Sequence, residues 1–250
     1  MKKRRGNTRY FAKFAAAIIG VYILISLIIM LIYNLNIFLI SEVRFTGQKT
    51  ILLDNLIQSA NDLIGQNLFR VPEAEIKKHF TSYSRIKDLY IRRRLFDKLQ
   101  INIIERLPIF QIKTADGKIL LVDIESVLLS DNETAVFEDI PIISVKASSD
   151  SLKFGNIIID PFLNKMLAIY PEIMHAEPNF LDFISEIYED QDDLYLVEYK
   201  QGYKLIFDSD KFVENVRDYM EIKNTFSFDS NTTIDMTLAN NYRVTKRGHE

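Results

Sequence analysis

Two clusters of carboxylate side chains in this 250-residue chain have a composition and spacing that could bind a metal ion. Residues 189–193 hold four carboxylates in five positions, and oxygen ligands of this kind suit a hard cation such as calcium. The run lacks the regular ligand spacing and the glycine of a calcium loop, so we interpret it as a solvated turn. The run Asp208, Ser209 and Asp210 resembles metal–nucleotide motifs, but a helix N-cap explains it better.

Other catalytic or cofactor chemistry finds little support in the residue types. Cysteine is absent, which excludes disulfides and thiolate metal sites. His79, His175 and His249 are far apart and lack the spacing of a local zinc motif. The chain has no Gly-x-Ser-x-Gly elbow, phosphate loop or histidine-paired nucleophile. We therefore predict a non-enzymatic protein with no catalytic residue, cofactor, metal ion or small-molecule substrate.

Charge divides the chain near residue 40. The first 40 residues carry six basic and no acidic side chains, so the remainder carries −9, because the whole chain carries −3. A region this acidic is a poor candidate for binding nucleic acid, which needs a basic surface. We predict no nucleic-acid partner.

Residues 14–38 have the length and composition of a membrane span. No charged residue occurs between Phe14 and Ser41, and 20 residues of helix cross a hydrocarbon core of roughly 30 Å. The basic residues place the N-terminus in the cytoplasm, so the C-terminal region lies outside the cytoplasm, in the periplasm if an outer membrane exists. The alternative, a cleaved signal peptide, has a shorter apolar region and a small-residue cleavage site. The chain shows neither feature, which favours an uncleaved, single-pass anchor in the plasma membrane.

The residues after the anchor predict two helices framed by strands. A short alternating run, Glu42 to Gly47, predicts a strand and turn, and apolar residues at helical spacing from Leu52 to Ile64 predict a helix. Pro72 opens a second helix. Strands follow near Ile86–Arg93 and Leu99–Glu105. The order is β-α-α-β-β within about 65 residues.

Short strands dominate the chain after Pro108. Asp160 and Pro161 predict a helix from about Phe162 to Tyr170 that Pro171 ends. Asp208 and Ser209 predict a second helix of about 15 residues. The chain then closes with a single predicted strand from Ile234 to Val244.

The strand and helix order resembles the POTRA domain, a small module of membrane-linked assembly proteins. Ile101 to Pro108, with the sequence Ile-Asn-Ile-Ile-Glu-Arg-Leu-Pro, is similar to the end of that domain in the bacterial division proteins FtsQ and DivIB. Val43–Gly47 and Asn67–Phe69 fit the same pattern. The chain departs from the family at Phe110, where alanine is common. It also has Glu125 and Ser126 in a turn that usually contains glycine, so we expect different turn geometry there.

The resemblance implies an α+β fold with five segments. They are a cytoplasmic tail (1–13), a transmembrane helix (14–38), a POTRA domain (41–108), an FtsQ-type β domain (109–246) and a short tail (247–250). It also implies a scaffold at the division septum that binds membrane division proteins of the FtsB and FtsL type and links the early division ring to septal wall synthesis. Two alternatives remain open: a membrane-anchored envelope enzyme, and a POTRA assembly factor of outer-membrane export.

The resemblance further implies that the closing strand is the edge that holds the partner. Its predicted partner-binding residues are Thr237, Leu238, Ala239, Asn240, Asn241, Tyr242 and Arg243. The side chains expected to face the core are Ile234, Met236, Leu238, Tyr242 and Val244. A basic cluster at Arg92, Arg93 and Arg94 is a possible second surface for lipid head groups or an acidic partner. Its alternative interpretation is a solvated hairpin tip.

Overall fold

The structure is a computed structural model that describes residues 7–34, 38–94, 96–133, 139–190, 193–223, 225, 228–238 and 242–246. Its fold is α+β, as predicted. The helices are α1 (Asn7–Asn34), α2 (Leu53–Ser59), α3 (Glu73–Lys78), α4 (Pro161–Ala176) and α5 (Phe212–Ile222). The strands are β1 (Glu42–Thr46), β2 (Ile86–Arg94), β3 (Lys98–Glu105), β4 (Pro108–Lys113), β5 (Ile119–Asp123), β6 (Leu128–Leu129), β7 (Ile142–Ser144), β8 (Ile184–Asp190), β9 (Asp193–Glu198), β10 (Lys204–Asp208), β11 (Thr232–Asp235) and β12 (Arg243–Lys246).

One helix among the described residues is long and apolar enough to cross a membrane. Within α1, Tyr10–Tyr33 spans 24 residues with a mean hydropathy of 2.9, and none of its most apolar window is buried in the protein. A bare helix of this composition would expose its apolar side chains to water, whereas a bilayer covers them. The helix therefore fits a single-pass membrane anchor.

The chain divides into two compact units. The first comprises residues 1–48, 53–81 and 88–104, and the second comprises residues 49–52, 82–87 and 105–250. The first unit contains a three-stranded sheet in the order β1-β3-β2, with β1 parallel to β3. The predicted boundary between residues 108 and 109 stays a prediction.

The core of the first unit follows the sequence pattern in part. Of the apolar residues predicted to line the first helix, Leu56, Ala60 and Leu63 are buried, whereas Leu53 and Ile57 are exposed. The single predicted helix is divided into two parts. Helix α2 ends at Ser59, and a separate 3-10 turn covers residues 61–63. The buried face of this helical region is therefore narrower than the spacing of its apolar residues predicted.

The second unit is built on a nine-stranded mixed sheet. Its strand order is β12-β11-β10-β9-β8-β7-β4-β5-β6, with parallel pairs β4–β7, β7–β8 and β10–β11. Helices α4 and α5 bury their apolar residues against alternate positions of these strands, including Phe110, Leu196, Phe207 and Ile234. This alternation is the pattern of a sheet packed on one face.

The prediction that Pro171 ends a helix is wrong. Asp160 caps α4 as predicted, since its carboxylate accepts hydrogen bonds from the amides of Phe162 and Leu163, each at 3.0 Å. The helix then continues through Pro171 to Ala176. Proline removes one backbone hydrogen bond, but Ile173 beyond it is fully buried in the core. Packing of this last turn offsets the lost bond.

The turn at Glu125 and Ser126 adopts the backbone geometry of a glycine, which corrects the expectation of a different turn. Ser126 has a positive φ of 62°, a region that non-glycine residues seldom occupy. The carboxylate of Asp123 accepts hydrogen bonds from the amides of Glu125 and Val127, each at 2.9 Å. The Ser126 hydroxyl donates to the carbonyl of Ile158 at 2.6 Å. These bonds hold the serine in a conformation that glycine would adopt without them.

Candidate partner-binding edge

Strand β12 forms one edge of the nine-stranded sheet. It pairs antiparallel with β11, and Val244 lies opposite Ile234. The side chains of all four β12 residues are exposed, whereas Ile234 is fully buried. A strand at a sheet edge presents backbone N–H and C=O groups on its outer side, and a strand from another protein can pair with them. The geometry therefore suits β-strand addition.

Helix α5 fixes the end of β11 through one buried amide. The Asn215 side chain donates to the carbonyl of Met236 at 3.0 Å and accepts from the amide of Asp208 at 2.9 Å. The Met236 amide in turn donates to the carbonyl of Ile206 at 2.8 Å. Asn215 thus satisfies backbone groups of two strands at once, which buried polar groups require.

An ion pair supports the far end of the edge strand. The Lys246 ammonium lies 3.1 Å from the Asp229 carboxylate. The hydroxyl of Thr232, which lies opposite Lys246 in the sheet, donates to the same carboxylate at 2.8 Å. Hydrogen bonding from Thr232 and then from Lys246 lowers the pKa of Asp229. Both partners of the pair are well exposed, so the pair contributes little to stability.

The prediction of one closing strand from Ile234 to Val244 is wrong. Two antiparallel strands occupy this region, and β11 ends at Asp235. The Asp235 carboxylate accepts from the amide of Thr237 at 3.0 Å and from its hydroxyl at 2.7 Å. Such a local side-chain bond competes with a continuing strand and turns the chain.

The expected alternation of buried side chains holds only as far as Met236. Ile234 and Met236 are buried as predicted, at 0% and 4% exposure. Leu238, Tyr242 and Val244 are 37–43% exposed, which corrects the expectation that they face the core. These exposed apolar side chains lie within β12, at Val244, or in the chain before it.

Of the predicted partner-binding residues that the structure describes, only Arg243 belongs to the edge strand. Thr237 and Leu238 follow the end of β11, and Tyr242 precedes β12. Arg243 is the first residue of β12. Ala239, Asn240 and Asn241 lie outside the described residues. The role of these seven residues in binding stays a prediction.

The predicted binding segment left out three residues of the edge strand. Val244, Thr245 and Lys246 complete β12, but the prediction placed the binding segment before them. Their signal was the β-branched pair Val244 and Thr245 between two basic residues, because β-branched residues favour strands. The predicted closing strand ended at Val244, so it included only the first residue of this pair.

The arginine cluster divides into residues with different surroundings. Arg93 donates to the carbonyls of Leu68 and Val71, at 2.8 and 2.7 Å. Arg94 donates to the side chain of Gln100 at 3.1 Å, and Arg92 lines a groove of about 730 Å³. The three arginines therefore have different partners, and the binding role of the cluster stays a prediction.

The carboxylate clusters have local partners. Glu189 lies 3.0 Å from the ammonium of Lys165, and Asp208 caps a 3-10 turn by accepting from the amide of Asp210 at 2.9 Å. Gln191 and Asp192 lie outside the described residues. In the part of the chain that the structure describes, no group of three or more His, Cys, Asp or Glu side chains could hold a metal ion.

Comparison with known families identifies the region that follows the anchor. Residues 38–106 match the family described as the POTRA domain, FtsQ-type. The match covers β1 to β3 with α2 and α3, the elements that formed the basis of the predicted resemblance. It confirms the predicted resemblance to the FtsQ-type POTRA domain of the FtsQ/DivIB family in this region. No curated protein matches the chain.

Proposed function

We propose that this chain, which carries the FtsQ-type POTRA domain of the FtsQ/DivIB family, is a non-enzymatic scaffold of the division septum. It binds membrane division proteins of the FtsB and FtsL type and links the early division ring to septal wall synthesis. The single observation that carries the proposal is the edge strand β12. Its pairing with β11 uses one side of its backbone, and all four of its side chains are exposed.

The anchor sets where this scaffold works. The basic residues at the start of the chain favour a cytoplasmic N-terminus under the positive-inside rule. Both folded units then face the outer side of the plasma membrane, or the periplasm in a cell with an outer membrane. An anchored partner with an extended segment could reach β12 there.

A proline scan of β12 tests the proposal. The full chain is co-expressed with the FtsB-type and FtsL-type proteins of the same cell, and proline replaces residues 243 to 246 one at a time. Proline removes the backbone donor, so we expect at least one folded variant to lose co-purification of the partner by tenfold or more. Alanine at the same positions is the matched control, because it truncates the side chain and keeps the N–H group.

Depletion in cells supplies the functional arm of the test. Cells depleted of the protein should grow as filaments without septa, and the proline variant that loses the partner should fail to restore division. If every folded proline variant retains the partner and restores division, β12 is not the docking edge.

A further inference from the structure

The end of the membrane helix is hydrogen-bonded to a loop of the first unit. The Asn67 side-chain amide donates to the carbonyls of Ile32 and Tyr33, each at a long 3.3 Å. These carbonyls belong to the last turn of α1, where helical partners are lacking. The Asn67 side-chain oxygen meanwhile accepts from the amides of Phe69 and Arg70, at 3.0 and 3.2 Å. One residue thus joins the loop to the helix end.

A short antiparallel ladder fixes the same loop to the chain that leaves the helix. The amide of Leu68 donates to the carbonyl of Phe38 at 2.7 Å, and the amide of Ile40 donates to the carbonyl of Gln66 at 2.8 Å. The rings of Phe38 and Phe69 meet edge to face with centroids 5.2 Å apart. The apolar span ends at Tyr33, so in a membrane these bonds would hold the loop 65–70 close to the lipid head groups.

The turn between β2 and β3 lies beside this loop. The Ser41 amide donates to the carbonyl of Asp97 at 2.9 Å, and the Arg93 side chain donates to the carbonyl of Leu68. Phe96 in this turn is 66% exposed and has a positive φ of 87°. Exposure of a phenylalanine ring to water is unfavourable, and a positive φ strains its backbone. Aromatic rings are favoured at the membrane interface.

Positive charge dominates this end of the unit. Arg70, Arg93 and Arg94 are exposed, and the acidic residues nearest to them in the chain are Glu73 and Asp97. The Asp97 carboxylate accepts a hydrogen bond from the Ser41 hydroxyl. Arginine side chains a few ångströms from head groups attract anionic lipids within about one Debye length, roughly 8–10 Å.

We propose that the interfacial face, defined as Phe69, Arg70, Arg93, Arg94 and Phe96, rests on the surface of an anionic bilayer. Phe96 and the half-buried Phe69 enter the interfacial layer while the arginines contact lipid phosphates. The bilayer is the binding partner of this face, because α1 anchors the first unit at the membrane surface. The proposal is independent of partner binding at β12.

The absence of tryptophan makes a direct test possible. Phe96→Trp in the full chain gives one fluorophore at the face, and Tyr90→Trp gives a matched control. Tyr90 is 52% exposed and lies in the same strand as Arg94, four residues or about 13 Å away. Each protein is reconstituted into phosphatidylcholine vesicles with or without phosphatidylglycerol, and lipids carrying a head-group nitroxide serve as quencher.

We expect quenching of the Phe96→Trp chain to exceed that of the control at least twofold in anionic vesicles. Adding Arg70→Gln and Arg94→Gln should reduce it toward the control, while Arg93 is left in place because it holds two backbone carbonyls. Hydrogen exchange of the unsubstituted chain is a second measurement, in which the amides of residues 65–70 should exchange more slowly in anionic vesicles. Equal quenching at both positions would overturn the proposal. So would quenching and hydrogen exchange that are the same in vesicles with and without phosphatidylglycerol.

Discussion

The carboxylate of Asp235 accepts two hydrogen bonds from Thr237, one from its amide and one from its hydroxyl. This contact ends β11, and Asp235 lies opposite Arg243 of the edge strand. The position of the edge therefore depends on how the chain turns immediately after β11. It also depends on Asn215, which holds the Met236 carbonyl between these two residues.

Replacing this carboxylate should weaken both the turn and partner binding. We expect Asp235→Ala to lower the free energy of unfolding by about 1–2 kcal/mol, the contribution of a hydrogen-bonded charged group. Co-purification of the proposed FtsB-type partner should fall as well, because β12 loses its fixed position. Thermal unfolding of the full chain in detergent and the co-purification assay measure the two effects. Asp190→Ala, at an exposed carboxylate of β8, is the control, and an equal effect of both substitutions would contradict this role.

A second prediction concerns a buried polar cluster in the second unit. Glu133 accepts from the amide and hydroxyl of Ser84, at 2.9 and 2.8 Å, and from the amide of Arg85 at 2.9 Å. Arg85 is fully buried and donates to the carbonyl of Ser130 at 2.9 Å. Glu133→Ala leaves several buried donors without this acceptor, so we expect a loss of about 3–5 kcal/mol. Asp131→Ala at the neighbouring exposed position should change stability by less than about 0.5 kcal/mol.

The same cluster bears on the predicted domain boundary. A fragment of residues 109–250 lacks Ser84 and Arg85, which belong to the second unit. We expect this fragment to fold but to be cleaved by protease at least tenfold faster than a fragment of residues 41–250. Urea unfolding of both fragments checks the difference. Equal resistance of the two would show that the Glu133 cluster adds nothing to the fold, and an unfolded shorter fragment would rule out the boundary at 108.

Local patterns explain which parts of the fold were predictable. The order β-α-α-β-β follows from periodicity and from signals such as Pro72 and Gly47, which act within a few residues. The burial of Arg85 could not be predicted, because its partners Ser130 and Glu133 are 45 or more residues away. A fully buried arginine is also rare in proteins. At the candidate edge, alternation identified Ile234 and Met236, but the turn at Asp235 depends on a side-chain bond that alternation does not reveal.

The core of the second unit predicts a loss of stability in alkali. The hydroxyls of Tyr203 and Tyr219 lie 2.7 Å apart, and burial raises the pKa of both above the ordinary value of 10. The unfolded chain releases these protons first, so the folded state holds more protons above about pH 10. The contribution of these two tyrosines to stability is therefore constant below that pH and is lost as the pH rises past it.

Removing one of these hydroxyls should change the pH profile in a specific way. We expect Tyr219→Phe to lower the free energy of unfolding by about 1 kcal/mol at pH 7, through the lost hydrogen bond. The variant should lose less stability than the natural chain between pH 9 and pH 11. Urea unfolding at several pH values measures both effects. Tyr199→Phe at a 53% exposed site is the control, and a variant profile parallel to that of the natural chain would exclude Tyr219 as a cause of the alkaline loss.

The orientation of the anchor is the last prediction, and the absence of cysteine allows a clean measurement. Single cysteines are introduced at Tyr199, which is 53% exposed in the second unit, and at Lys3 in the basic tail. Because basic residues are retained in the cytoplasm, a membrane-impermeant maleimide should label Tyr199→Cys in intact spheroplasts and leave Lys3→Cys unlabelled. After lysis both should react, which shows that the tail cysteine is reactive once the membrane is open. Labelling of Lys3→Cys before lysis, with Tyr199→Cys protected, would contradict the proposed orientation. It would place β12 in the cytoplasm, on the opposite side of the membrane from the septal wall.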